Sequence, residues 1–192
     1  MKSTFLTTLL LFIALAISAQ DEYNASAKYP YGRLNPEASK QTGDYAHLIG
    51  TNTCKSTQRN PDGSWQKTQD MKWIFKYILN GYAVQDEAIK ADGNIGGSIR
   101  QFIADSSKWY VHYYNNQFPT PTLPAWAGEK KGDSMVLYNK QKAPNGMDGY
   151  YRITFGKISK EGFEWKGEWV DLTEKIVYPT WNISCTREES DE

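Results

Sequence analysis

The sequence predicts an all-β protein: an antiparallel up-and-down barrel of about 8–10 strands, with an irregular N-terminal segment. Apolar and polar residues alternate with a period of two over most of residues 45–188, as in half-buried strands. Turn-forming residues interrupt this alternation at intervals of about 8–12 residues. Each strand has one apolar and one polar face, so a single sheet closed around its own interior fits best, and closure leaves no exposed edge.

Composition limits the possible classes of protein. The 192 residues suit one domain, and 22 basic residues balance 22 acidic ones, which gives no case for a nucleic-acid partner. A charged fraction of 23% together with 14% aromatic residues excludes a disordered chain. The sequence does not name a ligand, a reaction or an oligomeric state.

Residues 1–19 have the layout of a secretory signal peptide. Lys2 precedes an apolar run at 9–17, and small residues follow up to Ala19. This pattern predicts a secreted or periplasmic protein without a membrane span after cleavage, since no other apolar run is long enough to cross a bilayer. An uncleaved membrane anchor is the alternative.

Residues 20–44 show little apolar periodicity, and we expect a linker that is partly disordered or contains a short helix. Asn35, Pro36 and Glu37 have the order typical of a helix start. Residues 189–192 form a predicted acidic tail. The barrel domain is therefore predicted at 45–188.

The first strands are the clearest. Residues 71–79 place Met71, Trp73 and Phe75 on one face and lysines on the other. Asn80 and Gly81 then provide a strong hairpin signal, since both residues tolerate positive φ, and 82–89 is the return strand. The later strands are predicted at 98–105, 108–114, 134–142, 150–158, 163–172 and 176–187, with a bulge at Pro179.

Two cysteines, Cys54 and Cys185, allow one disulfide. Both are predicted to point inward, from the first and last strands, which closure of a barrel makes neighbours. Export to an oxidising compartment also favours the bridge. Two buried free thiols are the alternative.

Several segments together resemble a family of small, lipocalin-like (calycin-type) β-barrel proteins common in bacteria. The resembling segments lie at 48–51 (LIGT), 73–81 (WIFKYILNG), 83–86 (AVQD), 98–109 and 158–165. This resemblance implies a barrel with an interior cavity and carries no assigned reaction. Calycins usually have a Trp two residues after the glycine of the first strand, and here that position is Asn52.

Asp86 is the most interesting charged residue, because strand parity places it with Val84 on the inward face. Its hypothetical partner is Arg100 on the next strand, since an unpaired charge inside a barrel is costly. An ion pair, an orienting role toward a ligand together with Gln85, and acid/base catalysis remain three hypotheses for Asp86.

Aromatic residues recur at inward positions and are expected to form the core and the ligand site. The predicted ligand-binding residues are Trp73, Phe75, Tyr77, Gln85, Asp86, Arg100, Trp109 and Trp165. A possible lid over the barrel mouth comprises Tyr113, Tyr114, Phe118, Leu123 and Trp126, around a proline-rich loop.

Cofactors are not expected. Some calycin-like barrels hold haem through one histidine, but His47 and His112 are more typical of solvated or core histidines. No cofactor or metal is predicted.

The leading hypothesis is a secreted or periplasmic barrel that binds a small apolar or aromatic ligand in its interior. The alternatives are a carbohydrate-binding module with exposed Trp platforms, such as Trp109, Trp165 and Trp169, or an acid/base enzyme that uses Asp86. A structural barrel with a filled interior is a further alternative.

Overall fold

The computed structural model of the protein describes residues 22–188. The predicted signal peptide at 1–19 and the acidic tail at 189–192 lie outside the described residues. Within the described part of the chain, no helix is long and apolar enough to cross a membrane.

Ten antiparallel strands follow one another in a closed up-and-down barrel, in which the last strand pairs with the first. This confirms the predicted fold class. The strands are β1 (Gly50–Gln58), β2 (Gln69–Ile78), β3 (Ala83–Lys90), β4 (Ile95–Ile103), β5 (Lys108–Asn115), β6 (Ala125–Lys131), β7 (Ser134–Lys140), β8 (Gly149–Gly156), β9 (Gly162–Asp171) and β10 (Val177–Arg187).

The predicted strands agree with the structure to within a few residues, but β6 was not expected. Its sequence, AWAGEKK, has no run of alternating apolar residues, and it follows directly after the prolines of 117–124. It pairs with both β5 and β7 and so completes the barrel. The bulge predicted at Pro179 is present as a register shift between Pro179 and Trp181.

The barrel has two different ends. At one end, which we call the closed end, lie the turns at 79–82, 104–107, 132–133 and 157–161. A 3-10 helix, Lys40–Leu48, covers this end and is called the plug helix. The opposite, open end carries the connections at 59–68, 91–94, 116–124, 141–148 and 172–176.

The plug helix closes the barrel with apolar side chains. Tyr45 and Leu48 are fully buried. The ring of Tyr45 packs edge-on against Trp109, with 4.7 Å between ring centroids. Asp44 accepts a hydrogen bond of 3.2 Å from the indole nitrogen of Trp109. Trp109 of the barrel wall and the plug helix therefore close this end of the barrel together.

Asn52 itself is fully buried beside the plug helix. Its amide nitrogen donates to the backbone oxygens of Leu48 and Trp73, both at 3.2 Å. Asn52 thus ties the end of the plug helix to β2.

Residues 22–39 run in turns against the closed end. Asn35 is buried, and its backbone N–H bonds the oxygen of Gly81. A side chain at Gly81, which has φ of 84°, would lie 2.5 Å from the backbone of Asn35 and Arg33. Glycine is therefore required where this segment crosses the β2–β3 turn. The expected helix start at Asn35 is a turn here, and helical structure begins only at Lys40.

Cys54 and Cys185 form a disulfide, as the hypothesis of facing thiols requires. They are direct partners in the pairing of β1 with β10, with Cα atoms 4.1 Å apart. Both lie in the hydrophobic core. The bridge therefore joins the two strands at which the barrel closes.

Candidate functional site

A cavity of about 560 Å³ occupies the half of the barrel toward the open end. Its volume lies within the range of about 300–1,000 Å³ typical of small-molecule sites. Each of the ten strands contributes at least one lining residue, because alternate side chains of every strand point to the axis. The cavity is thus a direct product of the period-two pattern.

The walls are mainly apolar. Trp73 packs edge-on against Trp165 with 6.3 Å between ring centroids, and Trp165 packs against Trp181 at 5.1 Å. The other apolar lining residues are Met71, Ala88, Ile95, Val111, Phe118, Trp126, Leu137, Ile153, Phe155 and Ile183. Such walls favour an apolar or aromatic body.

An ion pair lies at the deep side of the cavity. Asp86 and Arg100 both line it, and both side chains are only 3% exposed. The Arg100 Nη1 donates to Asp86 Oδ2, and the indole nitrogen of Trp73 donates to Asp86 Oδ1 at 2.6 Å. Each carboxylate oxygen therefore has a donor, as a buried charge requires.

The guanidinium of Arg100 is surrounded by aromatic rings. Its carbon lies 5.3 Å from the ring centroids of Tyr45 and Phe75 and 5.6 Å from that of Phe155. Burial lowers the pKa of Arg100 below its usual value. The Arg100 Nε lacks a hydrogen-bond partner among the described residues. Arg100 is held mainly by Asp86 and by these rings.

Burial also acts on the tyrosine at the closed end. It raises the pKa of Tyr45 to about 12, although the positive charge of Arg100 opposes this. The hydroxyl of Tyr45 is buried and interacts with the guanidinium of Arg100. Tyr45 is therefore neutral at physiological pH and acts as a packing residue.

The chemistry available to Asp86 is limited by its partners. A general acid or base must reach the proton that it transfers, and both oxygens of Asp86 are engaged by Arg100 and Trp73. A guanidinium at contact favours the ionised carboxylate. This arrangement suits an internal ion pair that presents polar atoms to a bound molecule.

The mouth of the cavity is polar. Two apolar residues also lie there: Phe118, which is on the proline-rich connection and is 75% exposed, and Ile95 at the start of β4. Lys90 ends β3 with its ammonium 4.6 Å from the ring centroid of Trp181. The amide side chains that line the cavity at this level are Gln58, Asn94, Asn115, Gln117 and Gln141.

The eight residues predicted from sequence to bind a ligand separate into three groups: four line the cavity, three are buried in the core, and Gln85 lies on the outer face. Trp73, Asp86, Arg100 and Trp165 come together in the cavity lining. Phe75, Tyr77 and Trp109 are buried but do not line the cavity; they belong to the core nearer the closed end.

Gln85 lies on the outer face, where its amide nitrogen donates to the hydroxyl of Tyr114 at 2.7 Å. It therefore does not orient an interior ligand with Asp86. The reason is strand parity, since neighbouring residues of β3 point to opposite faces. Of the predicted lid residues, Tyr113, Phe118 and Trp126 line the cavity, whereas Tyr114 and Leu123 do not.

Other lining residues were missed by the sequence analysis. Tyr151 on β8 and Lys90 on β3 point inward. Tyr151 is two residues from Ile153 and Lys90 is four residues from Asp86, so period-two alternation places each pair on the same face of its strand. The sequence alone did not show where along each strand the packed core ends and the cavity begins.

The histidines lie apart from this site. His112 does not line the cavity, and it pairs with Ile99 and Ala125 in neighbouring strands. His47 is exposed on the plug helix. Among residues 22–188 there is no group of three or more potential metal ligands from His, Cys, Asp and Glu.

The tryptophans proposed as sugar platforms are not on the surface. Trp109 and Trp165 are buried in the core, and Trp169 is 9% exposed with its indole nitrogen bonded to the oxygen of Gln141 at 3.1 Å. A row of exposed platforms built from these three residues is therefore absent.

One comparison with a solved structure supports the fold. Rv2717c from M. tuberculosis superposes with a TM-score of 0.50 at 11% sequence identity, over 80% of this chain and 100% of that one. It is a lipocalin-like barrel of ten strands, so the likeness supports the same fold for this chain.

Two other solved structures are more distant. The S-type phycobiliprotein lyase CPES from Guillardia theta has a TM-score of 0.49 at 8% identity, over 77% of this chain and 92% of that one. A protein of the DUF3598 family from Nostoc punctiforme has a TM-score of 0.25 at 6% identity, over 78% of this chain and 100% of that one. No protein-family model and no curated protein sequence matches this chain.

Proposed function

We propose that this protein is a binding protein that holds one small, largely apolar or aromatic molecule inside its barrel. The observation that carries the proposal is the cavity of about 560 Å³, with apolar walls and a few convergent polar groups at its deep side and mouth. A purely structural barrel would fill this space with its own side chains, since protein interiors are close-packed.

The route into the cavity supports the same function. The plug helix covers one end, whereas lining residues such as Asn94, Gln117 and Phe118 belong to the connections of the open end. A ligand therefore enters between these connections. Among the connections of the open end that contribute residues to the cavity lining, the proline-rich segment 116–124 is the longest. It is the proposed lid.

We further propose that the protein is exported and belongs with the small lipocalin-like barrels of bacteria. The signal-peptide pattern of 1–19 and the Cys54–Cys185 disulfide support an oxidising compartment. A disulfide between the two strands that close the barrel suits a protein that carries a molecule outside the cytosol.

An acid/base enzyme is less well supported, because Asp86 is paired through both oxygens. A carbohydrate-binding module would need exposed aromatic platforms, and the three proposed tryptophans are buried. The binding protein is therefore the function that the geometry favours.

The test is a fluorescence titration with N-phenyl-1-naphthylamine, an uncharged aromatic probe. We expect saturable binding of one probe molecule per protein chain. The variant Ala88→Trp places a large side chain in the cavity, because Ala88 is small and lines it, and it should abolish binding.

The matched control is Thr186→Trp, which adds the same side chain on the exposed outer face of β10. It should bind the probe as the unmodified protein does. Equal probe binding by the Ala88→Trp and Thr186→Trp proteins, both folded by circular dichroism, would contradict an interior site.

A further inference from the structure

The cavity changes in character along the barrel axis. Its deep part has aromatic and aliphatic walls, and the amide side chains of five residues gather at the mouth: Gln58, Asn94, Asn115, Gln117 and Gln141. A molecule that fills this space meets apolar surface along its body and polar groups at one end. The cavity is thus matched to an amphipathic molecule with a definite orientation.

The two charged residues at the deep side neutralise each other. Asp86 and Arg100 form an ion pair with almost no exposure. An anionic group placed beside them would meet the carboxylate of Asp86 in a region of low dielectric constant and would leave one negative charge uncompensated. The deep side therefore disfavours a charged group on the ligand.

Lys90 is the third charged residue of the lining, and it stands at the mouth. It follows Asp86 by four residues on the same face of β3, which places the two Cα atoms about 13 Å apart at the rise of an extended strand. Among residues 22–188, no carboxylate oxygen lies within 4.0 Å of the Lys90 ammonium.

The neighbours of Lys90 position its side chain. Burial lowers the pKa of Lys90, and the negative charge of Asp92 opposes this. The ring of Trp181 lies under the ammonium at 4.6 Å, a cation–π arrangement. Asp92, in the adjacent turn, is engaged by Asn94, whose backbone nitrogen and side-chain nitrogen each donate at 2.9 Å. Lys90 is therefore positioned on an aromatic face, with no ion-pair partner within 4.0 Å among residues 22–188.

From this distribution we propose that the ligand is an amphipathic acid, which places its apolar body in the barrel and its anionic head at the mouth, beside Lys90. This inference rests on the proposed function, because it specifies the ligand class of the same cavity. It also fixes the orientation: the head points out and the tail ends near the Asp86–Arg100 pair.

The experiment compares decanoate, decan-1-ol and decyltrimethylammonium by isothermal titration calorimetry at neutral pH and low salt. The three probes share one tail and differ in head-group charge. We expect decanoate to bind about two- to fivefold more tightly than decan-1-ol, the size expected for a partly exposed charge pair, and decyltrimethylammonium to bind most weakly.

The variant Lys90→Gln should remove the advantage of decanoate and leave the affinity for decan-1-ol unchanged, and Lys90→Arg should retain the advantage. Lys72→Gln is the matched control, because Lys72 lies exposed on β2 outside the lining. Persistence of the advantage in Lys90→Gln would overturn the proposal, since the head would then lie elsewhere, for example at Arg100.

The outcomes also separate the inference from the proposed function. If decan-1-ol and decanoate bind with equal affinity and Ala88→Trp blocks both, the binding function stands and the acidic ligand class is wrong. If none of the three probes binds, both are wrong.

Discussion

The Asp86–Arg100 pair is the residue-scale feature that most shapes this site. Both side chains are almost fully buried, and the Trp73 indole completes the contacts of the carboxylate. A buried pair of this kind adds little net stability, yet removal of one member leaves an uncompensated charge. The pair therefore makes both residues sensitive to substitution.

We expect Asp86→Ala to lower the free energy of unfolding by about 3–5 kcal/mol, because Arg100 would remain buried without its partner. Urea denaturation at pH 7 measures this. The control is Asp70→Ala, whose exposed pair with Lys55 should contribute only about 0–1 kcal/mol.

The double variant Asp86→Leu, Arg100→Met should recover most of the stability lost in Asp86→Ala, since apolar residues of similar size replace buried pairs at little cost. An Asp86→Ala protein as stable as the Asp70→Ala protein would show that Arg100 is not a buried charge.

Tyr45 predicts an alkaline limit to stability. Its pKa is about 12 in the folded protein and about 10 when exposed. Below pH 10 the phenol is neutral in both states and its contribution is complete. As the pH rises from 10 to 12, the unfolded chain loses this proton first, so the stability contributed by this residue falls, by on the order of 1 kcal/mol at pH 11.

The variant Tyr45→Phe isolates that effect. It removes one hydroxyl that interacts with Arg100, so a loss of no more than about 1 kcal/mol is expected at pH 7. Between pH 7 and pH 11 the variant should lose less stability than the unmodified protein. Tyr77, whose pKa is also about 12 because of burial, contributes to the loss in both proteins. Parallel decreases in the two urea midpoints would contradict the account.

Individual residues were predictable where parity alone decides. Period-two alternation placed Asp86 and Trp73 inward, and the cost of a buried charge identified Arg100 as the partner. The role of Trp73 as the second donor to Asp86 was not predictable, because it depends on the distance between neighbouring strands and on a side-chain rotamer. Gln85 was assigned to the site despite its outward parity.

At the scale of elements, the closing pair of strands depends on one covalent bond. The Cys54–Cys185 bridge joins β1 and β10 across a sequence separation of 131 residues. Bridges that close long loops restrict the unfolded chain strongly. The bridge therefore stabilises the contact between β1 and β10, the two strands that close the barrel and that lie far apart in the sequence.

Reduction of this disulfide should lower the free energy of unfolding on the order of 4–5 kcal/mol. Urea denaturation with and without a phosphine reductant measures the difference. The double variant Cys54→Ala, Cys185→Ala is the control, because its urea midpoint should be low and should not respond to the reductant. An unmodified protein whose midpoint is the same in both conditions would contradict the prediction.

Elements were predictable when their sequence alternates clearly. Strand β2 has large apolar residues at every second position from Met71 to Tyr77, and β9 follows the same period with a glycine at Gly167. β6 does not, because its inward positions are filled by Trp126 and Gly128, and a Cβ at Gly128 would lie 2.0 Å from the oxygen of Val136. The sequence of the plug helix shows no clear apolar periodicity. Its side chains are buried because the helix packs against the closed end of the barrel.

On the scale of the whole molecule, one closed sheet serves two purposes. Rings such as Trp109, Phe75 and Tyr45 fill the half near the plug helix, and the other half is left as the cavity. The packed core is thus concentrated at the closed end, and the proposed binding site lies toward the open end. The sequence predicted the barrel but not this division, which depends on the summed volume of inward side chains.

The most direct test of this division is a crystal structure of the protein with bound N-phenyl-1-naphthylamine. We predict electron density for one probe molecule inside the barrel, in contact with Trp73, Val111 and Ile153. A probe bound only on the exterior, with those three side chains packed together across a filled interior, would contradict the account.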